Sequence, residues 1–134
     1  MSTRTITLTG RPPVTIDEDK WPLLASAGDS EADSEHRFQA NRTSEWSVRV
    51  RRHNDGRAIV YATYKYSTNW ANERDFSAKR GVLLPAASDN MAICTAIEEV
   101  CDDIANADHE GDDAARWMTI AAECIADLPA EVLE

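Results

Sequence analysis

Nowhere does this 134-residue chain hold an apolar run near the roughly 20 residues that a membrane-spanning helix requires, which excludes such a helix. It also lacks a Gly-rich phosphate loop, a His-Glu-x-x-His pair and a nucleophile elbow around a serine, so the familiar NTPase, zinc-protease and hydrolase readings fall away. Cysteine is scarce and odd in number. Cys94, Cys101 and Cys124 cannot form a disulfide framework, and their spacing lacks the close pairs of structural zinc sites. In a reducing compartment they read first as small buried hydrophobes, with a redox-sensing or small-enzyme role as the alternative. Met1-Ser2-Thr3-Arg4 leads into a strand-like alternation and not into a signal segment, so a cytoplasmic location is the expectation.

The remaining scarcity is of one charge in one place. From Asp89 to Glu134 there are thirteen acids and a single base, Arg116, a net −12. From Arg37 to Arg80 there are ten Lys and Arg residues against Glu45, Asp55, Glu73 and Asp75, a net +6. The overall charge of −10 thus averages two opposed blocks. Such asymmetry leaves the fold undecided but governs partner choice and association rate.

What is present reads as one α+β domain with a three- to four-stranded, mainly antiparallel sheet. Ile6 and Leu8 alternate with Thr5, Thr7 and Thr9 in a first strand that ends at Gly10-Arg11-Pro12-Pro13. Pro22 to Ala27 reads as a short helix capped by Gly28, and the small acidic segment 28–35 as a mobile loop. The clearest pattern is a central hairpin over about 45–66. A three-residue Asn54-Asp55-Gly56 loop, with Gly56 left-handed, sets Val50 opposite Val60, Val48 opposite Ala62 and Trp46 opposite Tyr64. A slip of one residue would send those apolar side chains to the wrong face, which selects this register. The opposite face then carries Arg49 beside Tyr61, Ser47 beside Thr63 and Glu45 beside Lys65. Gly81 to Pro85 reads as a further, doubly buried strand. Two antiparallel helices follow, at about 89–107 and 112–128. Their core stripes are Cys94, Ile97, Cys101 and Ile104 in one, and Trp117, Ala121, Cys124 and Leu128 in the other.

Candidate sites follow from the charges. Asn106, Asp108, Glu110 and Gly111 imitate the start of a calcium loop, but its twelfth position is Trp117 where a bidentate Glu belongs, so no metal or other cofactor is expected. Glu98, Glu99, Asp102 and Asp103, with Asp112 and Asp113, form an acidic helical surface whose carboxylates repeat about 5–6 Å apart. Loosely, that imitates a phosphate track. Small acidic inhibitors of phages and plasmids, including some anti-restriction and anti-CRISPR proteins, work this way; the likeness rests on size and charge alone. The leading expectation is a non-enzymatic inhibitor, a DNA mimic in charge, that occludes a basic partner protein of the nucleic-acid-binding kind and has no membrane role. The alternative is a basic hairpin face of Arg49, Arg51, Arg52, Tyr61 and Lys65 that holds nucleic acid or another anion by charge and stacking. A net charge of −10 opposes direct nucleic-acid binding. Opposite faces also allow self-association, with a homodimer as one form.

Overall fold

A computed structural model describes residues 2–35, 40–70, 73–107 and 113–130. The strands are β1 (Thr3–Ile6), β2 (Val14–Asp17), β3 (Leu23–Glu35), β4 (Ala40–Arg52), β5 (Ala58–Thr68) and β6 (Phe76–Leu84); the helices are α1 (Asn90–Ala107) and α2 (Ala114–Asp127). β3-β4-β5-β6 form one antiparallel sheet, β1 and β2 a separate hairpin, and the helices cover one face of the large sheet. The fold is α+β.

The central hairpin has the register that its alternation demands: Trp46↔Tyr64, Val48↔Ala62 and Val50↔Val60 face the helices, while Arg49↔Tyr61, Ser47↔Thr63 and Glu45↔Lys65 face away. His53 N donates to Arg57 O at 2.9 Å and closes the three-residue loop. Gly56 has φ +95°, and a Cβ there would lie 2.5 Å from the Ala86 carbonyl oxygen, so glycine is required twice over. Asp55 steadies the loop by accepting from Arg57 N at 2.9 Å, a bond that holds its carboxyl below the usual range.

Two expectations fail together in the segment 22–35. Neither the short helix over Pro22–Ala27 nor the mobile acidic loop over 28–35 exists; from Leu23 onward the segment is β3, paired with β4 from Leu23↔Arg51 to Glu35↔Ala40 with one irregularity between Leu23 and Ala25. Gly, Asp and Ser are poor strand formers, but without β3 the long outer edge of β4 would lose its hydrogen-bond partners. Partnership overrode composition. The acids then acquire a different use, since Asp29 and Glu31 put charge on an edge strand and so discourage further pairing. Ser26 N, on that edge, donates to the Asp127 carboxylate at 2.9 Å.

β1 begins where the Thr-Ile alternation places it, but its partner is the unforeseen β2, not the main sheet. Ile6, Leu8, Ile16 and Trp21 pack on Ile59 and Tyr61, giving a second small core on the sheet face away from the helices. The chain crosses β6 at Gly81, where a Cβ would meet the Thr7 carbonyl oxygen at 2.6 Å. β6 extends from Phe76, longer than the expected strand, and Leu83 joins the small core while Val82 and Leu84 join the large one.

In α1 the Asp89 carboxylate caps Ala92 N at 2.9 Å. Its buried residues are Ile93, Ala96, Ile97, Val100, Cys101, Ile104 and Ala105, so Ile97, Cys101 and Ile104 keep the expected stripe while Cys94 is only half-buried. α2 buries Trp117, Ile120, Ala121 and Cys124. It ends at Leu128, whose extended backbone (φ −63°, ψ 142°) is what a following Pro129 enforces. The calcium-like segment lies largely within residues 108–112, outside the described residues. No described helix is long and apolar enough to cross a membrane.

Candidate interaction surfaces

The acids of α1 form two rows on its outer side. Glu98 and Asp102 lie toward α2, and Glu99 and Asp103 one residue further round. Glu98, Glu99 and Asp102 are exposed, and none has an ion-pair partner among the described residues. Asp103 differs: its carboxylate is 3.4 Å from Arg80 Nε of β6. Asp113 leaves the surface, accepting from the Trp46 indole at 3.0 Å. Asp112 falls outside the described residues. The described members of the six-residue acidic set therefore contribute three unpaired carboxylates to one face.

The opposing basic set is rearranged more strongly. Arg51 is 8 % exposed and Tyr61 7 %, because the β1–β2 hairpin and Trp21 cover that part of the sheet. Arg51 Nε donates to Tyr61 Oη at 2.9 Å and its Nη1 to Trp21 O at 3.2 Å. Arg49 stands opposite Tyr61 in register as expected, but the side-chain hydrogen bond to the Tyr61 hydroxyl comes from Arg51. Arg52 is turned to the other face and donates to the carbonyls of Gly56 and Ser88. Only Arg49 and Lys65 of the five stay available, joined by Lys79, which the register sets opposite Thr63. Lys79 was legible in principle, since β6 extends its alternation back to Phe76.

Strand alternation fixes where these charges stand. Arg49, Lys65 and Lys79 point away from the helices, while the α1 carboxylates lie on the far side of the helix layer. One helix diameter is about 10–12 Å, already beyond the roughly 8 Å Debye length at physiological salt. The two exteriors act as separate fields. At the rims opposite charges do meet, at Arg80–Asp103 and where Arg116 reaches Asp29 (3.2 Å) and Glu31 (2.7 Å).

A cleft of about 580 Å³ opens between the sheet's far end and the start of α2, among Arg42, Trp46, Tyr64, Tyr66, Glu73 and Arg116. Its charges answer one another. Glu73 accepts from Arg42 Nε (3.1 Å), Tyr66 Oη (2.8 Å) and Thr68 Oγ1 (2.9 Å), which pull its pKa from 4.5 to about 2, Arg42 foremost. Arg42 stacks on Trp70 and Arg116 on Trp46, each 4.0 Å from a ring centroid. The chemistry here is that of a clamp on the β5–β6 connection. No single stretch of sequence announces it.

Burial pushes the Cys101 and Cys124 thiols up to about 12, with neighbouring Cys and Asp127 adding to it. At neutral pH both are protonated and poor nucleophiles. Among the described residues no group of three or more His, Cys, Asp or Glu could hold a metal ion. No family model, curated protein or solved structure matches the chain.

Proposed function

We propose that this protein is a non-enzymatic interaction protein that uses the acidic outer surface of α1 to bind and occlude a basic partner, one that itself binds nucleic acid. The observation that carries this reading is the exposure of Glu98, Glu99 and Asp102 with no ion-pair partner among the described residues, on the side of the molecule opposite Arg49, Lys65 and Lys79. Like charges four apart on a helix cost a few tenths of a kcal/mol per pair. A surface that sustains that repulsion and leaves its cations elsewhere gains a steering field. Association would be fast and salt-sensitive, and the bound partner would be denied its nucleic acid by simple coverage.

The test is affinity capture from cell extract on the immobilised protein, washed at rising salt, beside a Glu98→Lys/Asp102→Lys variant. Basic, nucleic-acid-binding proteins should elute at moderate salt from the wild type and be missing from the variant. Recovery of the same proteins on both would remove the acidic surface from the account. Nucleic-acid binding through the sheet is the weaker reading, since two of its residues are internal supports, Arg52 faces the helices, and Glu45 stands opposite Lys65.

A further inference from the structure

Between α1 and α2 runs a groove of about 550 Å³, lined by the two helices and by no strand. The buried Cys101, Ala105, Trp117 and Ala121 are among its lining residues. Exposed Glu98 and Asp102 rise on the α1 side, exposed Met118 and Ala122 on the α2 side. Three features of this groove are unresolved within the chain itself. Met118 is 73 % exposed, an unbranched apolar side chain held in water at the lip. Trp117 is 1 % exposed, yet its indole Nε1 has no acceptor among the described residues, and buried donors are almost always satisfied. Glu98 and Asp102, one turn apart, have no paired cation among the described residues. The walls are therefore unlike: acidic along one side, apolar and small along the other.

We infer that this groove seats an amphipathic helix of the basic partner, its apolar stripe over Met118 and Ala122 and its Lys or Arg flank along Glu98 and Asp102. The inference rests on the acidic-surface reading and adds the shape of what is bound. Helix-in-groove recognition needs an apolar floor and a charged edge to set orientation. The alanine on the α2 side lets a third helix approach to ordinary packing distance, about 8–10 Å between axes. A second copy of this chain is the wrong occupant, because its helices would bring the same carboxylates against Glu98 and Asp102. Among the described residues its unpaired cations lie on strands (Arg49, Lys65, Lys79) and in loops (Arg11, Lys20, Arg74), and none sits on an apolar helical stripe.

The probe is a synthetic helical peptide of about five turns with leucines spaced three and four apart and flanking Lys and Arg. A second peptide of identical composition has its leucines dispersed. Binding to the intact protein is followed by ¹³C-methyl methionine NMR and by peptide anisotropy. The Met118 methyl should shift on titration while Met91, equally exposed on α1 but outside the groove, stays still. The dispersed peptide should bind about tenfold more weakly, and Ala122→Trp, an exposed position, should weaken the patterned peptide about tenfold. Glu98→Gln/Asp102→Gln should weaken it about two- to tenfold at low salt. Equal binding of both peptides, or binding that leaves Met118 unmoved, overturns the groove and leaves the acidic-surface reading standing. Failure of both peptides to bind even at low salt overturns the two together.

Discussion

Tyr61→Phe discriminates between a nucleic-acid-binding hairpin face and an internal support. The substitution keeps the ring in the small core and removes only the hydroxyl, the acceptor of Arg51 Nε at 2.9 Å. Arg51, 8 % exposed, then retains a single 3.2 Å bond to the Trp21 carbonyl and a buried charged donor without a partner. Hydrogen bonds to charged groups contribute about 1.5–3 kcal/mol. For 134 residues, each kcal/mol corresponds to about 3–4 °C in Tm, so a fall of about 5–10 °C is expected. Arg51→Met removes the charge together with its need and should cost less, about 1–2 kcal/mol. Adding Tyr61→Phe to it should cost little more, a coupling near 1 kcal/mol or above. Thermal and urea melts of the four proteins complete the cycle. A Tyr61→Phe variant as stable as the wild type, with additive effects in the double mutant, would refute the claim that this pair is structural.

Glu73 has its folded pKa depressed from 4.5 to about 2, so its stabilising effect is complete above pH 4.5 and is lost as pH falls toward 2; Glu73→Gln should flatten that part of the stability profile by urea titration. Gly56→Ala should lower Tm more than a left-handed alanine alone, about 1–2 kcal/mol, because its Cβ meets the Ala86 carbonyl. Cys101 and Cys124 should resist a thiol reagent such as DTNB in the folded state and react only on unfolding; rapid native labelling would contradict their burial. Self-association by acidic helices on a basic sheet face is heterologous, so it should produce salt-sensitive growth by light scattering and not a closed dimer.

The hairpin and both helices were legible because each is written in its own residues. Trp46-Val48-Val50 against Val60-Ala62-Tyr64 fits one register, and Asp89 and Pro129 mark helix ends by local chemistry. β3 was not legible, since Gly28-Asp29-Ser30 becomes strand only beside β4. The fate of Arg51 and Tyr61 was hidden for a related reason: what covers them arrives from Ile6, Ile16 and Trp21, far away in sequence. Period-two alternation distinguishes two faces but cannot say which of them water reaches. The acidic rows of α1 were legible, being helical spacing and charge. Their division into free Glu98, Glu99 and Asp102 and bridged Asp103 required the position of Arg80.

Stopped-flow association of a labelled arginine-rich peptide, measured across ionic strength, reads out steering by the α1 carboxylates. The rate should rise steeply as salt is lowered, collapse in Glu98→Lys/Asp102→Lys, and change little in Arg49→Glu/Lys65→Glu. A rate insensitive to the helix substitutions would contradict it.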